Sequence, residues 1–270
     1  MAYQEHIVGN RFKNKVTVIT GAGSGIGREI ALRFAKEGSS VVIPDINFQA
    51  AEETAKLLAD IGAKSLPIKT DVSNSQDIRE MVNKTIGTFG KINILINNAG
   101  ITTREPLLEI SEENWNRELA VDLSGTAFCI KYVAPEMIKV GSGKIINISS
   151  VAALIGSVAP AYSAAKGGII SLTRVLAGEL APFKINVNAI CPGFVATSIN
   201  EKIRKMGMEK VIQDRIPWKR WGSPNDVASV AVFLASDEAD FFTGSILQVD
   251  GGMGSYISLG QEYFTADKKM

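Results

Sequence analysis

The chain has 270 residues, of which 46% are hydrophobic and 21% are charged, and its formal net charge is +1. This length and composition are typical of one globular α/β domain with a sizeable buried core. The near-zero net charge, without a block of like charge, argues against nucleic acid and acidic membranes as partners.

Neither end of the sequence has the pattern of a targeting or spanning segment. The first ten residues, MAYQEHIVGN, lack the basic and apolar regions of a secretory signal. No run of 18 apolar residues predicts a transmembrane helix. We interpret 1–10 as a leader, 11–252 as one domain, and 253–270 as a polar C-terminal tail.

Cysteine and histidine are scarce. Two cysteines, Cys129 and Cys191, are too few for a disulfide framework and indicate a reducing compartment, so we expect a cytoplasmic protein. We do not expect Cys191 to be a nucleophile, because no basic neighbour in the sequence would lower its pKa. The single histidine is His6. A Ser-His-Asp triad and a multi-histidine metal site are therefore not expected, and we predict no metal.

Short, nearly continuous apolar runs alternate along the chain with longer helical patterns. The apolar runs are typical of strands buried on both faces, and they cover 16–19, 40–43, 66–69, 92–96, 144–148, 185–190 and 246–249. The helical patterns cover 25–37, 47–61, 75–89, 112–139, 161–180 and 224–235. This alternation predicts a single-domain, Rossmann-like α/β fold: a doubly wound parallel sheet of about seven strands with helices on both faces. Such sheets bind ligands at the carboxyl ends of their strands.

A glycine-rich loop follows the first predicted strand. It reads TGAGSGIG from Thr20 to Gly27 and leads into the first helix. Glycines allow a tight turn, and the N–H groups of a helix N-terminus bind phosphate. The loop lacks the Lys-Ser/Thr of a P-loop, and Ile26 replaces the third glycine of G-x-G-x-x-G. We predict a pyrophosphate site formed by Gly21, Ser24, Gly25, Ile26 and Gly27; the alternative is a tight turn without a ligand.

Asp45 ends the second strand, 24 residues after Gly21. A carboxylate in this position can accept both hydroxyls of an adenosine ribose, and it would repel a 2′-phosphate. A site that reads the phosphate would need a nearby cation, but Ser24, Ile46 and Asn47 are uncharged. The sequence therefore favours NAD(H) over NADP(H). The alternative for Asp45 is an N-cap of the helix 47–61.

Tyr162 and Lys166 lie four residues apart in PAYSAAKGG, a stretch otherwise made of small residues. The chain has 5 tyrosines, and only this one is followed by lysine at that spacing. Residues i and i+4 share one face of a helix. The ammonium can therefore stabilise the phenolate, whose ordinary pKa of about 10 suits proton transfer poorly at neutral pH.

Six motifs in order now resemble the short-chain dehydrogenase/reductase family over residues 11–252. They are TGAGSGIG, Asp71-Val72, Asn97-Asn98-Ala99-Gly100, Ile148-Ser149-Ser150, Tyr162-x-x-x-Lys166 and Pro192-Gly193. Any one of them alone would be weak, but their order is specific. The resemblance implies hydride transfer between NAD(H) and a secondary alcohol or ketone, for which we expect a sugar, a polyol or a similar small hydroxy compound.

The resemblance also implies roles for the candidate catalytic residues. Tyr162 would be the general acid/base, Lys166 would tune it and hold the nicotinamide ribose, and Ser150 would orient the substrate oxygen. Ser150 lies twelve residues before Tyr162, where the family usually has thirteen, so Ser149 stays an alternative. Asp122 stands where the family has an asparagine that supports a water between the lysine and solvent. Whether Asp122 supports such a relay or only packs polar atoms is left open.

Further contacts follow from the resemblance in the same way. The cofactor would meet Asp71 and Val72 at the adenine, the backbone of Asn98, Ala99 and Gly100 at the adenosine ribose, and Pro192, Gly193, Val195 and Thr197 at the carboxamide. Family members are usually tetramers, in which the helices 112–139 and 161–180 pair between subunits. The substrate pocket is expected from 101–106, 151–160 and 194–216. In the first of these loops, Arg104 and Glu105 either contact a polar ligand or are exposed loop charges.

Two alternative functions remain open at this point. One is an NADPH-dependent reductase of 3-oxoacyl thioesters carried by acyl carrier protein. The other is a protein that binds NAD(H) as a sensor or scaffold and has no turnover.

Overall fold

The computed structural model describes residues 9–255, apart from the side chain of Lys202. Within this range, seven strands form one parallel sheet in the order β3-β2-β1-β4-β5-β6-β7. The strands are β1 Val16–Ile19, β2 Ser40–Asp45, β3 Ser65–Lys69, β4 Ile94–Asn97, β5 Gly143–Ile148, β6 Ile185–Pro192 and β7 Ile246–Val249. The predicted doubly wound α/β fold is confirmed.

Helices cover both faces of the sheet. They are α1 Gly25–Lys36, α2 Phe48–Asp60, α3 Ser75–Phe89, α4 Glu112–Glu118, α5 Gly125–Val140, α6 Pro160–Leu180, α7 Glu201–Lys205, α8 Glu209–Arg215 and α9 Pro224–Ala235. Within residues 9–255, no helix combines the length and the apolar character needed to cross a bilayer.

The core is divided into two layers by the sheet. Adjacent strand residues point to opposite faces, so Ile19 packs with α1, α2 and α9, whereas its neighbour Val18 packs with α3, α5 and α6. Both side chains are fully buried. This two-sided burial explains why the strands are apolar at nearly every position rather than at alternate ones.

The prediction of one helix over 112–139 is wrong in the middle. A π-helical segment, Leu119–Ser124, separates α4 from α5. A π turn is wider than an α turn and often lies at a functional site. Here it carries Asp122, which is fully buried, towards α6. Gly168 of α6 permits a close approach, since a Cβ at this position would lie 2.8 Å from Leu123 Cδ2.

Several element bounds also differ from the prediction. β6 extends beyond its predicted run to Pro192, whereas β2 ends at Asp45 as predicted, and both residues lie at strand ends at the cleft described below. β4 begins at Ile94 because the Asn93 side chain replaces a strand partner there, accepting a hydrogen bond from Val16 N at 2.9 Å. The short helices α7 and α8 lie within 194–216, the third segment expected to line the substrate pocket.

Candidate active site

The carboxyl ends of the strands open into a cleft of about 740 Å³. All but two of the predicted site residues line it. They are Gly21, Ser24, Gly25, Ile26, Asp45, Asp71, Val72, Asn98, Ala99, Gly100, Ser150, Tyr162, Lys166, Pro192, Gly193, Val195 and Thr197. The two exceptions, Gly27 and Asp122, are buried behind its wall. The fold therefore brings together residues that are up to 176 positions apart, from Gly21 to Thr197.

The glycine loop is pressed against the end of β4. Gly21 has a φ of +66°, which favours glycine, and its N–H donates to Pro44 O at 2.8 Å. A Cβ on Gly27 would overlap Gly21 O and would lie 2.6 Å from Asn98 Nδ2. Gly27 thus serves close packing of loop and strand rather than direct contact with a ligand.

Thr20, which directly follows β1, links the glycine loop to the end of β4. The sequence analysis did not predict this role. Its Oγ1 accepts the N–H groups of Asn98 at 3.0 Å and Ala99 at 3.1 Å. Asn98 returns a hydrogen bond from Nδ2 to Thr20 O at 2.9 Å. These contacts hold the β4 end beside the glycine loop. The threonine that begins TGAGSGIG was the available signal.

The N-terminus of α1 faces the cleft and has no side-chain cap. Ser24 is the N-cap residue, but its side chain makes no capping hydrogen bond, and the first turn contains no acidic residue. The first N–H groups of a helix have no acceptor within the helix and carry partial positive charge. Together with the glycine loop, this end is suited to the pyrophosphate of a nicotinamide dinucleotide.

The Asp45 carboxylate is fixed in place at the end of β2. Its Oδ2 accepts from Gly23 N at 2.8 Å, and its Oδ1 accepts from Asn47 N at 2.9 Å. The alternative role as a helix cap is wrong, because Asn47 is the N-cap of α2 and accepts from Ala50 N. Each carboxylate oxygen of Asp45 can accept a further hydrogen bond from a ligand.

Tyr162 and Lys166 share one face of α6, as predicted from their spacing. The Lys166 Nζ lies 5.5 Å from the centre of the Tyr162 ring and donates to Ile148 O at 3.0 Å. Burial lowers the pKa of Lys166, but the charges of Asp122 and Tyr162 raise it, and the net shift is upward. Lys166 is therefore a buried cation at the base of the cleft.

Asp122 contacts Lys166 directly. Its Oδ2 lies 3.2 Å from Nζ, an ion-pair distance. Its Oδ1 accepts from Ile101 N at 2.8 Å. Burial raises the pKa of Asp122, while the Lys166 charge and the Ile101 N–H oppose the shift. An asparagine in this position would leave Lys166 without this counter-charge.

The two neighbouring serines differ in what their hydroxyls do. Ser149 Oγ donates to Lys166 O at 2.8 Å, so its proton is engaged within the protein. Ser150 Oγ accepts from Ala152 N at 3.1 Å, and this leaves its proton available to a substrate oxygen. This arrangement favours Ser150 over Ser149 as the substrate-orienting residue.

Besides Asp122, the site contains a second buried acid, Glu118, which the sequence analysis did not predict. Only 1% of its surface is exposed, and its Oε1 accepts from Thr103 N. Its Oε2 has no hydrogen-bond partner among residues 9–255. Glu118 and Asp122 thus anchor the two ends of the segment 101–103. The spacing of four between the acids was a signal, but EENWNRE otherwise has the pattern of an exposed helix.

The charged residues of the loop after β4 face in different directions. Arg104 lines the cleft. Glu105 does not, because Asn114 Nδ2 donates to both of its oxygens, at 3.1 Å and 3.2 Å. The reading as exposed loop charges is therefore wrong for Arg104. Cys191 also lines no part of the cleft, and burial raises the pKa of its thiol, which disfavours a nucleophilic thiolate.

Comparisons with known proteins agree with this site. A family model described as enoyl-(acyl carrier protein) reductase matches residues 21–254. The chain is 39% identical over 244 residues to a 3-oxoacyl-[acyl-carrier-protein] reductase of Thermotoga maritima, covering 90% of this chain and 99% of the relative. It is 39% identical to a 2-dehydro-3-deoxy-D-gluconate 5-dehydrogenase of Dickeya dadantii (89% and 95% covered) and 38% identical to a cyclohexanol dehydrogenase of an Acinetobacter species (93% and 99% covered).

A solved structure also matches the fold of this chain. A short-chain type dehydrogenase/reductase from Mycobacterium marinum superposes with a TM-score of 0.88 at 30% identity, covering 91% of this chain and 97% of that one. These matches define an oxidoreductase that uses a nicotinamide cofactor and acts on alcohol- or ketone-type substrates. Within that class, the chain belongs to the short-chain dehydrogenase/reductase family, as its motifs predicted.

Proposed function

We propose that the protein is an NAD(H)-dependent dehydrogenase that interconverts a secondary alcohol and its ketone. The observation that carries this proposal is the convergence of Ser150, Tyr162 and Lys166 in the cleft that also contains the glycine loop and Asp45. When bound, the nicotinamide supplies the hydride acceptor or donor, and the protein contributes position and proton transfer.

Each side chain has a defined task in this proposal. The Ser150 hydroxyl donates to the substrate oxygen and holds it beside the Tyr162 phenol, which removes or returns the hydroxyl proton. The Lys166 ammonium stabilises the negative charge that develops on the phenol oxygen. Asp122 balances the charge of Lys166, because a buried cation is costly without a partner.

The preference for NAD(H) over NADP(H) rests on Asp45 and its neighbours. A 2′-phosphate would meet a carboxylate whose orientation is already fixed by two backbone N–H groups. Arg28, on α1 beside this position, has its Nε and Nη2 donors engaged within the protein and its charge paired with a glutamate. It donates to Gly23 O and to Thr54 Oγ1 at 2.9 Å, and it pairs with Glu53 at 3.3 Å.

We infer the chemical character of the substrate from the part of the cleft that would contact it. The cleft beyond Ser150 and Tyr162 is bounded by 101–104, 151–159 and 198–215, which we call the substrate half. Its wall is largely apolar, formed by Val151, Ile155, Val158, Ile199, Ile203, Met206, Met208 and Ile212. Such a wall favours a substrate with hydrocarbon surface. The predicted sugar or polyol remains one arm of the test.

Reduction of a 3-oxoacyl thioester is the second candidate. The similarity to the Thermotoga maritima reductase supports it. Asp45 opposes it, because thioester reductases of this kind would be expected to use NADPH. The two candidates therefore differ in cofactor as well as in substrate, and one experiment separates them.

The test measures nicotinamide absorbance with NAD(H) and NADP(H) across secondary alcohols, polyols, ketones and acetoacetyl thioesters. We expect turnover with an alcohol–ketone pair and NAD(H). Tyr162→Phe should bind NADH with unchanged fluorescence enhancement and lose turnover by at least about 10²-fold. Thioester reduction with NADPH would establish the second candidate instead. NADH binding without turnover of any compound would support the sensor alternative.

A further inference from the structure

The charged residues that line the cleft are two acids, Asp45 and Asp71, and four cations, Arg104, Arg117, Lys166 and Arg215. The acidic residues of its wall, Asp45 and Asp71, lie at the ends of β2 and β3. They belong to the part of the cleft beside the glycine loop, which we call the cofactor half because the dinucleotide is proposed to bind there. In the substrate half, the charged wall residues among those that the structure describes are Arg104 and Arg215, and no Asp or Glu side chain lines it. The other two cations of the wall are Lys166, at the boundary, and Arg117 of α4, outside the three segments of the substrate half. A substrate in this half therefore meets positive charge.

Arg104 is the best placed of these cations. Its Nη2 donates to Ile199 O at 3.2 Å and to Asn200 Oδ1. Asn200 is itself 7% exposed and fixed by donation from Nδ2 to Val195 O at 2.7 Å. The guanidinium is thus held by neutral acceptors on one edge. Its Nη1 donates no hydrogen bond within residues 9–255, so a charged N–H donor remains available to a ligand.

The electrostatic setting of Arg104 also indicates an anionic partner. Burial lowers the pKa of its guanidinium, and the only charge that opposes this shift is that of Tyr162. Arg104 is therefore partly desolvated, close enough to Tyr162 for interaction, and without a carboxylate partner from the described chain. An arginine in such a setting gains most from an anion that arrives with the ligand.

The backbone at Arg104 supports a functional role for its side chain. Its φ is +59°, a left-handed conformation that is uncommon for a residue other than glycine. Such backbone strain persists where the surroundings enforce it, and it concentrates at ligand sites. The turn directs Arg104 into the cleft while its neighbour Glu105 bonds to Asn114 outside it.

We propose that the substrate is a hydroxy or oxo carboxylate with an apolar body, and that Arg104 binds its carboxylate and thereby determines specificity. This inference rests on the proposed function and narrows it. The hydrocarbon part would lie on the apolar wall of the substrate half, with the reacting carbon at Ser150 and Tyr162. The carboxylate would extend to Nη1 of Arg104.

The test compares oxo acids with their methyl esters, which differ in charge and little else. Reduction by NADH would be measured for 4-oxopentanoate, 5-oxohexanoate and 4-oxo-4-phenylbutanoate and for the three esters. We expect kcat/KM for at least one acid to exceed that of its ester about tenfold or more. Arg104→Gln should lower the value for the acid about 10–100-fold, mainly through KM, and change that for the ester less than threefold.

Two further variants guard against loss of folding. Arg104→Gly removes the side chain but suits the left-handed backbone, so it should fold at least as well as the wild type. Added methylguanidinium should then restore part of the activity on the acid and none on the ester. Arg33→Gln, near the C-terminal end of α1 and outside the cleft, is the matched control and should leave the acid-to-ester ratio unchanged.

The possible failures are distinguishable. Turnover of ketones or esters with NADH, but no preference for any acid, would overturn the carboxylate inference and leave the proposed function intact. Equal losses on acid and ester in Arg104→Gln would make Arg104 a structural link between its loop and Asn200. No turnover of any ketone, with either cofactor, would remove the proposed function and this inference with it.

Discussion

Replacement of Asp45 by Asn should remove most of the discrimination between NADH and NADPH. Asn keeps one oxygen, which can still accept from Gly23 N, but its amide NH₂ cannot accept from Asn47 N as Oδ1 does at 2.9 Å. The loop is therefore retained in large part. The negative charge and half of the acceptor capacity offered to the ribose are lost.

The expected magnitudes follow from these contacts. Hydrogen bonds to a charged acceptor contribute about 1.5–3 kcal/mol, so the Kd of NADH should rise about 10–100-fold. A carboxylate about 4 Å from a phosphate repels it by about 4 kcal/mol per unit charge at a protein surface, before screening by salt. Removal of the carboxylate charge should therefore lower the Kd of NADPH by about tenfold or more.

Direct titration by nicotinamide fluorescence gives both Kd values without any substrate. Asp71→Asn is the matched control, because the Asp71 Oδ1 is already engaged by Ser73 N at 2.9 Å and Ser73 Oγ at 2.6 Å. It should affect both cofactors alike. An Asp45→Asn protein that melts near the wild-type Tm and keeps the wild-type Kd ratio would refute the assignment of Asp45 to the ribose.

Three other predictions can be checked separately. Asp122→Asn removes the negative charge that raises the Lys166 pKa against the effect of burial. The alkaline limb of the pH profile of kcat/KM for ketone reduction should therefore move to lower pH. An unmoved limb would exclude Asp122 as the group that keeps Lys166 charged. Gly27→Ala should abolish NADH binding or folding, because the new Cβ would overlap Gly21 O. Gly87→Ala should instead raise the free energy of unfolding in urea by about 0.5–1 kcal/mol, because no atom lies within 4 Å of the new Cβ. Burial raises the pKa of Cys129 from its ordinary value of 9.0 to about 12. Between these values the folded state keeps a proton that the unfolded state loses, so the free energy of unfolding is unaffected below pH 9 and falls by about 1.4 kcal/mol per pH unit between 9 and 12. Cys129→Ala should flatten that decline in urea titrations, and equal slopes would contradict the assignment.

Much of the fold was predictable because the five central strands, β1, β2, β4, β5 and β6, are buried on both faces, which makes their apolar runs nearly unbroken. The cofactor half was predictable for a related reason. Its residues follow directly after strands, as Asp45 follows the apolar run of β2, and the ends of parallel strands meet at one edge. Local sequence therefore carries information about three-dimensional proximity in this part of the molecule.

The residues that sequence reasoning missed depend on tertiary contacts. The π-helical segment around Asp122 uses side chains that are equally compatible with an α-helix, and its wider turn matters only where α6 packs against it at Gly168. Glu118 has the local pattern of an exposed helix, but the loop after β4 covers it. Arg104 is directed by a left-handed φ and by Asn200, which lies 96 positions away.

Cofactor choice and substrate choice should be separable in this protein. In the proposed function, Asp45 at the end of β2 would select by repelling an anion, and Arg104 in the loop after β4 would select by attracting one. The two residues share no hydrogen-bond partner among the described contacts. Asp45→Asn should therefore change the NADH-to-NADPH ratio and leave the acid-to-ester ratio unchanged, while Arg104→Gln should do the reverse. A shift of both ratios by one substitution would mean that the loops around the cleft move as a unit, and then neither ratio would report a single contact.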